Sequence, residues 1–144
     1  TGQADAVLRA GEMLKEKGAK RVIPLNVSGP FHSPMLAHAG ERLAKDLEKI
    51  QLMDFSIPYV ANLTADYVRS IEPVKELLKM QISSSVKWQQ SVERMLADGV
   101  DTFVEIGPGK TLSGFVKKLS RDVCVVNIDK YEDLEKAVEV LKNV

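Results

Sequence analysis

Apolar residues recur along this chain either at helical spacing or in short unbroken runs, and the two patterns take turns. Val7, Ala10 and Leu14 share one face of a helix predicted over residues 4–17, with Gly18 as its stop. Residues 21–27, Arg-Val-Ile-Pro-Leu-Asn-Val, are mostly apolar and partly β-branched, as a buried strand is. Ser33 followed by Pro34 reads as an N-cap with proline at the first helical position, and Leu36, Leu43, Leu47 and Ile50 form the stripe of a helix over 34–50. Residues 55–62 predict a short strand that Pro58 keeps from full pairing, ended by the polar turn at Thr64, Ala65 and Asp66.

The same alternation continues to the end. Val74, Leu77, Leu78 and Met80 predict a helix from Glu72 to about Ile82; Ser83–Ser85 interrupts it, and Ser85 caps a second helix with Trp88, Val92, Met95 and Leu96, stopped at Gly99. Residues 102–106 read as a strand and Gly107-Pro108-Gly109 as the turn out of it. Leu112, Phe115, Val116 and Leu119 then give a packed helix, Val123–Ile128 a buried strand, and Leu134, Ala137, Val138 and Leu141 a last helix capped by Asp129. Strands alternating with helices imply α/β layers with parallel pairing.

Charge narrows the function classes. Twenty basic and twenty acidic residues cancel in 144, which leaves no electrostatic footprint for nucleic acid or an anionic membrane. No apolar run approaches membrane-spanning length and no signal peptide is visible. The single cysteine, Cys124, excludes an internal disulfide, lies in an apolar run as an inert buried thiol, and fits a reducing, cytoplasmic setting. The chain opens on Thr1 without an initiator Met and enters a helix almost at once, which predicts a fragment.

Candidate chemistry concentrates at Ser28-Gly29-Pro30-Phe31-His32-Ser33-Pro34. His32 falls on a strand-to-helix loop, the place where α/β sheets hold ligands, although a lone histidine fixes no reaction and also reads as a hydrogen-bonded loop residue. His38 lies six residues on, off the helical face of His32, so no metal constellation exists. Gly107–Thr111 ends like a phosphate loop but has Val104 where that motif needs glycine; it reads as a strand-to-helix turn whose helix amino terminus could face an anion. Glu132 and Asp133 sit at a helix start, where the dipole accounts for them.

Two motifs in the same order and spacing, Val27-Ser-Gly-Pro-Phe-His-Ser-Pro-Met-Leu36 and Glu105-Ile-Gly-Pro-Gly-Lys-Thr-Leu112, resemble the carboxyl-terminal half of the malonyl-CoA:acyl carrier protein transacylase family. The resemblance implies part of an α/β-hydrolase-like parallel-sheet domain (residues 28–144) preceded by the tail of a ferredoxin-like small subdomain (residues 1–27). It implies an enzyme of fatty-acid synthesis whose nucleophilic serine, in a Gly-x-Ser-x-Gly elbow, lies outside this chain, where no such motif occurs. His32 would be the base, oriented by the main-chain carbonyl of Gln81, five residues before Val86-Lys87-Trp88. Met80 and Ser85 depart from the family's frequent Arg and Pro, changes a main-chain role tolerates.

Phe31 would face the acyl group, and Lys117 and Lys118 would dock the acidic acyl carrier protein; malonyl-CoA is the implied substrate, with no cofactor. The alternatives are an acyltransferase domain of a larger polyketide or fatty-acid synthase, and a non-enzymatic α/β module binding an anionic partner at Gly107–Thr111.

Overall fold

The first apolar stripe folds as α1, Ala4–Glu16, in the computed structural model of the protein, which describes residues 1–142. The chain forms two compact units, Thr1–Lys87 and Trp88–Val144.

In the first unit, Gly11 is the buried residue of α1, and a Cβ added there would lie 3.1 Å from the Val22 side chain. That contact lays the segment after α1 against the helix. The segment itself, residues 21–27, is not the expected strand: it belongs to no ladder, and Ile23, Leu25 and Val27 stay exposed. Its composition suits a strand, but a strand exists only by pairing, and among the described residues none pairs with it. A 3₁₀ turn, Pro34–Leu36, then leads into α2, Ala37–Glu48. Ser33 precedes the turn without capping it, because its hydroxyl donates backward to Pro30 O at 2.7 Å.

The strand expected over 55–62 shrinks to β1, Tyr59–Ala61, which begins just after the proline that cannot donate to a ladder. It pairs antiparallel with β2, Asp66–Val68, through a turn in which Ala65 takes φ 58°, and the buried Ala61 and Val68 face the core. Helix α3, Val74–Gln81, follows and packs on α2. The approach is close enough to demand glycine at position 40, where a Cβ would lie 2.8 Å from Lys79 O. Lys79 Nζ meets Glu41 at 3.1 Å, and Lys75 Nζ donates to Ile50 O at 2.7 Å, so lysines of α3 hold both α2 and the chain beyond its end.

The second unit reads α4 (Trp88–Ala97), β3 (Thr102–Ile106), α5 (Thr111–Leu119), β4 (Cys124–Ile128) and α6 (Asp133–Leu141). Strands β3 and β4 are parallel, paired from Thr102–Cys124 to Ile106–Ile128, as the alternation predicts. Val92, Val116 and Ala137 form its core, one residue from each helix. Strand β4 is half-buried throughout, and so is Cys124.

Two expected caps are displaced. Lys87 N donates to Asn62 O at 2.9 Å, carrying the chain past Ser85 before α4 begins at Trp88. At α6 the cap position is Glu132, and the Asp133 carboxylate accepts from the amides of Asp129 (3.2 Å) and Lys130 (3.0 Å), the reverse of an Asp129 cap. Those amides, Lys130 first, hold the Asp133 carboxyl below its usual range against partial desolvation.

Candidate active site

Two prolines shape the loop that carries His32. Pro30 has its φ fixed by its ring, and Pro34 pushes Ser33 into extended geometry, observed at φ −133° and ψ 158°. Between them His32 takes φ 57°, in the left-handed region.

From there its Nδ1 lies 3.0 Å from Gln81 O. Gln81 is the last residue of α3, so its carbonyl is one of those that a helix end leaves without an intrahelical partner. A carbonyl oxygen only accepts, so this contact places the proton on Nδ1 and leaves Nε2 as the basic nitrogen. The Gln81 side-chain amide lies 3.4 Å from the same Nδ1, but a protonated Nδ1 has no lone pair to offer it. That amide instead donates to Ser84 O at 3.3 Å, tying down the turn after α3. The two residues are 49 positions apart and both belong to the first unit.

Phe31 is exposed and adjoins His32, with its ring laid over Gly29, where an added Cβ would stand 3.4 Å from it. Lys117 and Lys118 lie in the last turn of α5, in the second unit. Lys118 Nζ stands 5.6 Å from the centroid of the Phe115 ring, a cation–π contact on a side chain that is itself exposed. His38 is exposed.

Sequence reasoning missed Glu105. From β3 its carboxylate accepts the amides of Leu112 (3.1 Å) and Ser113 (2.8 Å) and the Ser113 hydroxyl, which caps α5. The Ser113 hydroxyl first, then its amide, hold the Glu105 carboxyl below its usual range, against partial desolvation. Asn127 Nδ2 donates to Gly109 O at 2.8 Å and braces the Gly-Pro-Gly turn, where Gly107 and Gly109 take φ 137° and 87°. An internal carboxylate therefore already occupies the amino terminus of α5. An anion at Gly107–Thr111 would meet a negative charge in place of vacant amides. The only hint in the sequence was a glutamate just before the turn; capping from a neighbouring strand has no local spacing to betray it.

Among the described residues no group of three His, Cys, Asp or Glu side chains could hold a metal ion, and no helix is long and apolar enough to cross a membrane.

The helices and the parallel β3–β4 pair carry the α/β-hydrolase-like fold of solved malonyl transacylases. The crystal structure of a malonyl CoA-acyl carrier protein transacylase from Clostridium perfringens superposes with a TM-score of 0.90 at 39% identity, covering 99% of this chain and 45% of that one. A malonyl-transacylase solved in complex with a type II PKS acyl-carrier protein gives 0.90 at 34% identity, covering 96% and 45%.

The chain is, more particularly, a homologue of malonyl CoA-acyl carrier protein transacylase: it is 42% identical over 142 residues to that protein of Bacillus subtilis, across 99% of this chain and 45% of the relative. It thus spans about half the length of the curated relatives it matches. No family model matches the chain.

Proposed function

We propose that this chain supplies the histidine side of a malonyl-transfer site, moving malonyl from coenzyme A to the phosphopantetheine thiol of an acyl carrier protein. The observation that carries the reading is the contact of His32 Nδ1 with Gln81 O at 3.0 Å. It fixes the tautomer in which Nε2 accepts a proton, with an uncharged orienter in place of the carboxylate of a Ser-His-Asp triad.

The two transfers follow from that tautomer. Nε2 takes the proton of a serine hydroxyl as the serine attacks the thioester of malonyl-CoA, and returns it to the departing coenzyme A thiolate. It then takes the proton of the carrier thiol, which attacks the malonyl ester, and returns it to the serine. The serine comes from outside residues 1–144, which contain no Gly-x-Ser-x-Gly. Phe31, next to His32, borders the acyl group, and Lys117 and Lys118 meet the carrier. No cofactor enters these steps. We place residues 1–27 at the end of a small ferredoxin-like subdomain, 28–144 in the large domain, and the work in cytoplasmic fatty-acid synthesis.

A chimera in which this chain replaces the matching segment of the Bacillus subtilis relative tests the reading. The chimera is expected to transfer malonyl from malonyl-CoA to carrier protein, and residues 1–144 alone are not. In the chimera His32→Ala should lower the acylation rate by roughly 10² to 10⁴, the range for removing a general base. A loss below tenfold, or transfer by residues 1–144 alone, would overturn it.

A further inference from the structure

We propose that Ser33 is a positioning residue whose hydroxyl holds His32 in the left-handed conformation that aims its imidazole at Gln81. The inference rests on the proposed role of His32 and adds the device that keeps that side chain in place.

The loop leaves the chain reversal to very few residues. Pro30 and Ser33 are both restricted by proline geometry, so Phe31 and His32 must make the turn between them, and His32 takes φ 57°. A side chain other than glycine stays in that region only where its surroundings over-determine it. Two contacts do so here. On the backbone side Ser33 Oγ donates to Pro30 O at 2.7 Å, closing a ring around Phe31 and His32; on the side-chain side Nδ1 meets Gln81 O at 3.0 Å.

Ser33 is only 7% exposed, so its hydroxyl has little water to bond with if Pro30 O is taken away. Serine before proline at a helix start ordinarily caps the helix, yet this hydroxyl makes no capping bond and turns back to the loop. Without the tether, the backbone of His32 is free to relax toward negative φ. The Cβ then swings, and the Gln81 carbonyl alone must hold the ring. The expected result is a mixed population of tautomers and ring positions, and slower proton transfer with substrate binding unaltered.

The test uses the chimera described above, with Ser33→Ala and, as the conservative variant of similar volume that keeps a weak donor, Ser33→Cys. Malonyl-transfer kinetics are read together with the ¹⁵N shifts of the His32 ring, which distinguish the Nδ1–H from the Nε2–H form. Ser33→Ala should lower kcat on the order of 10- to 100-fold, the scale of a small misplacement of a reacting group, with KM for malonyl-CoA unchanged. It should also populate the Nε2–H form, with Ser33→Cys intermediate on both measures. Wild-type kcat in Ser33→Ala would overturn the proposal, and so would a fall in kcat with an unaltered His32 ¹⁵N pattern. If His32→Ala itself left transfer intact, the proposed function would fall, while the ring shifts would still decide whether Ser33 sets the tautomer.

Discussion

At the scale of single residues, Gln81 presents two groups to one imidazole nitrogen, and they make opposite demands. Its carbonyl at 3.0 Å requires the Nδ1–H form, whereas its amide at 3.4 Å could be accommodated only by the Nε2–H form, which would leave no base. The carbonyl is the closer, and the amide has Ser84 O. Gln81→Ala in the chimera should therefore cost less than tenfold in kcat, because the main chain persists; a loss equal to that of His32→Ala would make the side chain the orienter. Phe31 is a matter of volume. Its ring rests over Gly29, and if it borders the acyl group as proposed, removing it opens the room an α-methyl needs. Phe31→Ser should raise the methylmalonyl-to-malonyl ratio of kcat/KM by about 10- to 200-fold, the reach of one methyl group, and an unchanged ratio would take Phe31 out of the acyl pocket. His32 was legible in the sequence because it sits in a Gly/Pro loop within a recognisable motif. The use of Ser33 was not, since a hydroxyl before Pro34 looks like a cap and only the position of Pro30 O reveals otherwise.

At the scale of elements, the helices and the β3–β4 pair were legible because their signals are local: a stripe of apolar residues at helical period, or a run of five or six between turn signals. What failed was non-local. Residues 21–27 have the side chains of a strand and lack a partner among the described residues, whereas Asp66–Val68, too short to stand out beside its turn, becomes a strand by pairing with Tyr59–Ala61. One cap was missed for a related reason, because Glu105 reaches α5 from a strand seven residues away. That bond makes a pH prediction. The folded-state pKa of Glu105 lies below its unfolded value, so its contribution is complete above the unfolded value and is lost as pH falls through the folded one. Glu105→Gln should lower the urea midpoint at pH 7, and the gap to wild type should close on acidification below the ordinary carboxylate range. A gap of constant size across that range would mean that the charge contributes nothing and only the acceptor geometry matters. The helix pair α2–α3 is the other sensitive element. Gly40→Val would push a side chain into Lys79 O, two residues before the carbonyl that holds His32, and should weaken both the fold and the Nδ1 contact.

At the scale of the molecule, equal numbers of acidic and basic residues give no net field to draw in a partner, so recognition of a charged protein has to come from local patches. Lys117 and Lys118 form such a patch at the carboxyl end of α5, where the helix dipole favours cations with or without a partner. Two exposed lysines at a helix end are most simply a solvated surface. One observation gives the proposed docking a physical basis: Phe115, 44% exposed, lies under Lys118 and gives the patch an apolar centre. Charges at the rim of an interface act mainly on the association rate, and their reach is about 10 Å at 0.1 M salt. Reversing both lysines to Glu in the chimera should raise KM for carrier protein at low salt and flatten its dependence on ionic strength. Hydrolysis of the malonyl-enzyme, in which the carrier takes no part, should keep its rate. The cation–π contact is lost in the same variant, so Lys118→Met, which removes the charge but keeps an apolar chain over Phe115, separates packing from field. It changes the charge by one unit against four in the double reversal and should show about a quarter of the change in salt dependence. Carrier kinetics identical to wild type at low and high salt in the double reversal would assign both lysines to solvent alone.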